Sequence, residues 1–210
     1  MSQPSKVRSP PVFHFRLTLK ATTGHFPGAG SVAWRDFFTH ERLSNPTQTP
    51  TLEVPLGKIG LHIRSGTAIV LHTEPGQTIA STRRSDFSLL VSLSPGTDGA
   101  AHGKVYLDDG ESQPPTPHRE VEIFAEAGRY GGQLQFISRG TYISQTKLQQ
   151  VVVLVNGASG EQGDVRGVTE VRVGGKSWGS WSWDGQLGKL VVEGVGIDLN
   201  ESIVEAISWR

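Results

Sequence analysis

The sequence predicts an all-β protein, arranged as two antiparallel β-sandwich domains in tandem with very little helix. Three observations carry this prediction. The 210 residues include 26 glycines and 12 prolines, and these punctuate short runs rich in Val, Ile, Leu and Thr at a spacing typical of antiparallel strands. Several runs alternate apolar and polar side chains with the two-residue period of a half-buried strand. No window holds a helical period over ten or more residues.

The elements follow in chain order. The first ten residues combine proline with small polar side chains and are expected to form a mobile tail. In VFHFRLTLK, residues 12–20, Phe13, Phe15, Leu17 and Leu19 fall on one face of a strand and His14, Arg16, Thr18 and Lys20 on the other. SNPTQTPT, 44–51, reads as a long loop. Strands are predicted at GLHIR, TAIVLH, FSLLVSL and GKVYL, between residues 60 and 107. SQPPTPH, 112–118, places three prolines in seven residues. Proline removes ladder donors and stiffens the chain, so a domain boundary is expected there, dividing 11–115 from 116–210. Beyond it come REVEIFAEA, GQLQFISRG and LQQVVVLVN, a loop at NGASGEQGDVRG (156–167), then TEVRVGG, GKLVVEG and IVEAISWR.

Composition narrows the chemistry. Lys plus Arg and Asp plus Glu each total 20, so the electrostatic footprint of a nucleic-acid binder is missing and no nucleic-acid partner is expected. There is no cysteine, which removes disulfides, thiol catalysis and cysteine-ligated zinc. No segment approaches the roughly 20 apolar residues of a membrane span, and no signal-peptide run is visible at the start. The chain as written is therefore expected in the cytoplasm without a membrane partner, or outside the cell if it is a processed fragment. GAGS and GASG lack the lysine and the strand-to-helix setting of a phosphate loop, and no cofactor is expected.

KVYLDDGES, 104–112, sets three carboxylates, Asp108, Asp109 and Glu111, after a short strand. Calcium needs 6–8 oxygen ligands, and the spacing here matches no acidic calcium loop. These residues are weak metal candidates. Asp and Gly in DDG suit a turn, where they provide side-chain bonds to the backbone and a positive φ. The seven histidines are scattered without zinc-type spacing. His62 and Arg64 share a strand face and read as a structural polar pair.

KSWGSWSWDG contains Trp178, Trp181 and Trp183 beside Asp184. An exposed indole can stack on the apolar face of a sugar ring while neighbouring polar groups bond its hydroxyls. Trp181 and Trp183 share strand parity and are expected in or near the core. Trp178 has the opposite parity, lies beside Gly175 and Gly179, and is the better exposed candidate. Tyr130 in GRYGG is a second aromatic in a turn. Trp34 and Trp209 are expected to be structural.

HFPGAGSVAWRDFFTHERL, VPLGKIGLHIRSGTAIVLHTEPGQTIASTRRSDFSLLVSL and GKVYLDDGES, in this order, resemble the region that follows the catalytic barrel in glycoside hydrolase family 31, most closely fungal α-glucosidases. The remainder, through VRVGGKSWGSWSWDGQLGKLVVEGVGIDLN to Trp209, resembles the distal C-terminal domain of that family. The resemblance places YLDDGES at the end of a proximal-domain strand. It also implies what is absent: the family's catalytic aspartates sit on a (β/α)8 barrel, one within a motif close to WIDMNE, and neither segment occurs here. A retaining glycosidase needs two carboxyls about 5–5.5 Å apart flanking a sugar pocket, so no catalytic residue is assigned. The expectation is a lectin-like, non-catalytic protein that binds a glycan or small sugar. The alternative is an accessory fragment that docks to and stabilises a separate barrel. The surface that would face a barrel should be apolar, and a homodimer through it is expected.

Overall fold

The structure, a computed structural model, describes residues 21–28, 31–43, 49–55, 57–96, 98–113, 117–157 and 167–210. The predicted tail and the predicted opening strand at 12–20 lie outside the described residues.

Short β-rich runs separated by Gly and Pro form strands throughout. Before the first long strand come β1 (Ala21–Thr23), β2 (Trp34–Asp36), β3 (Thr51–Glu53) and β4 (His62–Arg64). They make two small antiparallel ribbons, β1 with β3 and β2 with β4. Then follow β5 (Thr67–His72), the four-residue α1 (Ile79–Thr82), β6 (Phe87–Ser92), β7 (Gly99–Leu107), β8 (Arg119–Gly128), β9 (Gly131–Gly140) and β10 (Leu148–Leu154). The chain closes with β11 (Val171–Val173), β12 (Lys176–Ser177), β13 (Trp181–Asp184), β14 (Lys189–Ile197) and β15 (Ile203–Trp209). The helix owes its single turn to Thr78: its hydroxyl accepts from Ser81 N at 3.2 Å, and Thr78 N donates back to Ser81 Oγ at 3.1 Å.

The strands from β5 onward form one 11-stranded sheet in the order β12-β11-β15-β9-β8-β7-β5-β6-β10-β14-β13. The sheet curls on itself, so inward side chains from both halves share one core. Leu89 and Val91 of β6, Val121 and Ile123 of β8, Leu134 and Phe136 of β9, Val151 and Val153 of β10 and Ile207 of β15 are all buried in a single cluster. A second, smaller cluster covers part of the outer face. There Ile63 of β4 and Phe37 pack on Leu90, Val152 and Leu154, which fixes the β2–β4 ribbon to the large sheet.

The strands on either side of the proline-rich segment do not fall in separate sheets. Leu107 pairs with Arg119, and the β7–β8 ladder continues from there to Gly99 and Ala127. Nor is the pairing purely antiparallel: β10 runs parallel to β6, and β5 meets β7 in parallel at Thr67 and His102. The second contact demands glycine, because a Cβ on Gly103 would lie 2.1 Å from the carbonyl oxygen of Ala68. Little helix is present, as expected. The three-residue strands β1, β2 and β3 are not among those predicted.

Candidate functional site

The tryptophan-rich segment lies at a seam. β12 and β13 are the two edge strands of the large sheet, and only Trp178, Gly179 and Ser180 join them. The backbone of Trp178 donates to the Val171 carbonyl at 2.8 Å, while Glu193 N donates to the Ser180 carbonyl at 2.9 Å. The linker thus ties β11 on one edge to β14 on the other and draws the sheet closed.

Closure explains the state of the indoles. Trp178, expected at the surface, is half-buried against the main core, and its Nε1 donates to the Glu193 carbonyl at 2.9 Å. The donor a sugar hydroxyl would use is already occupied. Trp181 and Trp183, opposite Val192 and Leu190 of β14, are half-buried against the same core. Asp184 Oδ1 accepts from Gln186 N at 2.9 Å and Leu187 N at 3.0 Å, which builds the turn to β14. Tyr130 stands apart in the turn between β8 and β9, 75% exposed. The strand order puts β9 three strands from β12, a lateral separation of about 14 Å at the ordinary strand spacing. Tyr130 thus belongs to a different part of the sheet from the β12–β13 linker.

The acidic stretch is a turn. Asp108 Oδ1 accepts from Gly110 N at 2.9 Å, and Gly110 has φ +74°. Asp109 accepts from Glu111 N at 3.0 Å, from Ser112 N at 2.9 Å and from the Ser112 hydroxyl. The Ser112 hydroxyl and the two backbone N–H groups hold the Asp109 carboxyl down to about 2. Asp108 also pairs with Arg83 at 3.3 Å. Among the described residues no group of three His, Asp or Glu side chains is arranged to hold a metal ion. His62 makes an edge contact with Phe26, ring centroids 5.1 Å apart, and Arg64 is exposed on the same short strand. Asn200, in the sequon Asn200-Glu201-Ser202, is bonded through both side-chain atoms to the backbone of Ser144, at 2.8 and 2.9 Å.

Sequence reading missed a cleft formed by segments distant in the chain. Arg84 after α1, Tyr106 of β7 and Gln145 in the loop after β9 line one recess. Each is an isolated polar or aromatic residue in its own run, so no local spacing could have joined them.

No family model matches the chain. Relatives do. The α-glucosidase of Candida tsukubaensis is 34% identical over 179 residues, which cover 84% of this chain and 15% of that protein. The α-glucosidase of Schizosaccharomyces pombe is 28% identical across 89% of this chain and 18% of its own length. Among solved structures, the glucosidase II α subunit matches 95% of this chain with a TM-score of 0.60 at 20% identity, over 22% of its own length. A Flavobacterium johnsoniae GH31 dextranase matches 91% of this chain with a TM-score of 0.66 at 14% identity, over 24% of its own length. The chain is related to family 31 α-glucosidases and matches a C-terminal region of them. It spans less than a fifth of the length of these two curated relatives.

Proposed function

We propose, from the relatedness to family 31 α-glucosidases, that this chain is a non-catalytic β module that docks to the catalytic barrel of such an enzyme and stabilises it. One observation carries the reading. At the end of the β2–β4 ribbon, Phe38, Ile59 and Leu61 are 59%, 74% and 43% exposed, and Phe37 N donates to the Leu61 carbonyl at 2.9 Å, which holds the two segments side by side. Exposed apolar groups gathered at one place on a folded unit are characteristic of an interaction surface. The occupant is inferred from what the relatives carry outside the matched region, more than four fifths of their length. Binding to the folded barrel would stabilise it by mass action, about 2.7 kcal/mol when the module is at a hundredfold excess over Kd.

The test mixes the purified chain with a family 31 catalytic domain expressed without its own C-terminal region. The expected result is a one-to-one complex by light scattering and a raised barrel Tm, both lost with Phe38→Asp or Ile59→Asp. No complex at high micromolar concentration, or a homodimer through these residues in its place, would overturn the docking reading. Cleavage of an aryl α-glucoside above contaminant level would overturn the non-catalytic one.

The lectin-like reading, with Trp178, Trp181, Trp183, Asp184 and Tyr130 as the sugar surface, has less support. Four of the five are committed to packing or to a turn.

A further inference from the structure

The register between β5 and β7 is a single residue pair, Thr67 with His102, although β5 pairs with β6 over six residues and β7 with β8 over nine. The two strands approach closely at that end, where Gly103 meets the Ala68 carbonyl. Beyond it a cleft of about 470 Å³ opens, lined by Val70, Leu71 and His72 of β5 and by Val105, Tyr106 and Leu107 of β7. Three consecutive residues of a strand send side chains to both faces of the sheet. A cleft that meets all three therefore runs between the strands and not over one face.

Two observations mark this gap as a vacant strand position. The first is the backbone. Thr73 N donates to the Asp86 carbonyl at 2.8 Å, which sets the odd-numbered residues of β5 towards β6 and turns the N–H and C=O groups of Val70 and His72 towards β7. His102 N donates to the Gly66 carbonyl at 3.2 Å, so on β7 the corresponding groups of Lys104 and Tyr106 turn towards β5. The β5–β7 register takes up none of these four residues. A strand edge left open in this way is a template for another extended chain. The second observation is the core. Val70 and Val105 are only half-buried against the main cluster, whereas Leu89 opposite Val70 and Val121 opposite Val105 are fully buried.

The open end of the gap has a defined charge. The segment after α1 reaches across it, since the Arg83 guanidinium bonds the Asp108 carbonyl and pairs with the Asp108 carboxylate at 3.3 Å. Asp86 is committed, accepting from Lys147 N at 2.9 Å and from Gln149 Nε2 at 3.0 Å. Arg84 is exposed at the same end and pairs with no carboxylate among the described residues.

We propose that an extended peptide segment of a partner enters this gap as a strand, lying along the β7 edge with apolar side chains towards Val70, Val105 and Leu107 and a carboxylate towards Arg84. β5 closes its other side. The β5 edge from Ala68 to His72 is about 13 Å long, the rise of about four strand residues. Backbone pairing supplies the affinity, and the alternation of apolar and polar side chains supplies the specificity. The charge on Arg84 selects which end of the segment faces out. The proposal depends neither on the docking surface at Phe38 nor on the tryptophan seam.

The test is an NMR titration of the isotopically labelled chain with a synthetic pentapeptide, acetyl-Thr-Val-Thr-Val-Glu-amide, up to millimolar concentration. Saturable shifts should centre on Val70, His72, Lys104 and Tyr106, and the amides there should exchange more slowly with solvent. A peptide with proline in place of its central threonine loses a ladder donor and should bind about tenfold more weakly or worse. Replacing the peptide's glutamate by glutamine should weaken binding several-fold, as should Arg84→Ala, an exposed position where folding is not at stake. The two losses should not add, because they remove the same contact. The proposal is overturned if no saturable shifts appear, if they centre on the β12 or β13 edge, or if the proline peptide binds as well as the original. It is also overturned if the Val70 and Lys104 amides of the free chain already exchange as slowly as those of Val121 and Ile123, since β5 and β7 would then be paired to each other. A dimer by light scattering that the peptide dissociates would overturn it as well, with a second copy of the chain as the occupant.

Discussion

Arg35 and Asn156, 121 positions apart in the chain, meet in a buried hydrogen bond of 2.9 Å from Nε to Oδ1. The other guanidinium nitrogens donate to the carbonyls of His40, Leu187 and Val155, at 2.8, 2.8 and 2.9 Å. Asn156 in turn donates to the Leu93 carbonyl at 2.6 Å. One side chain from the small ribbon thereby fastens three segments of the large sheet. Burial, with repulsion from Arg42 added, lowers the Arg35 pKa to about 10, so it remains charged at neutral pH. The charge is solvated by carbonyl dipoles in place of a carboxylate.

Arg35→Ala should therefore be strongly destabilising, because it leaves Asn156 and three carbonyls without their donor. The expected loss is about 3 kcal/mol, in line with the penalty for unsatisfied buried polar groups. Urea unfolding would measure it. Arg35→Lys should recover little, since a single ammonium cannot reach four acceptors set around a planar fork.

His40 is the one non-glycine residue with positive φ among those described, at +62°. Its N–H donates to the Asp36 carbonyl at 2.9 Å, and its own carbonyl is held by Arg35. His40→Gly should relieve the left-handed backbone without losing either bond. The expected result is between no change and about 1 kcal/mol of added stability by thermal unfolding.

The Asp109 carboxyl, held at about 2 by Ser112 and two backbone donors, gives a pH prediction. Its folded pKa is below its unfolded value, so the turn's contribution is complete above the ordinary aspartate range and is lost as pH falls through it towards 2. Ser112→Ala should raise the Asp109 pKa, seen by NMR titration of its side-chain carbon. A parent chain in which Asp109 titrates at the ordinary value would contradict the turn geometry.

Trp178→Phe keeps the ring against the core and removes the bond to the Glu193 carbonyl. A loss of about 1 kcal/mol is expected, the net worth of one hydrogen bond.

Much of the fold was legible in the chain. TAIVLH, REVEIFAEA and LQQVVVL alternate or run apolar over six or more residues, and each is a strand at or near the expected bounds. The DDG turn was legible as well, because Asp and Gly bond locally and their spacing is the signal. The seam was not. The parity of Trp178 against Trp181 pointed to an exposed ring, but parity holds only within one continuous strand, and the chain between β12 and β13 leaves one sheet edge and joins the other.

The sequence by itself determined the strand-rich character, the turn at Asp109 and the kinship with family 31 glucosidases, since each depends on neighbouring residues or on the order of short motifs. Only the tertiary structure decided that the strands on either side of the prolines share a sheet and that the tryptophans close it. It alone also placed Arg84, Tyr106 and Gln145 around one cleft. Those outcomes depend on which strands pair across long stretches of chain, and the pairing is chosen by burial of a shared core, to which no local pattern refers.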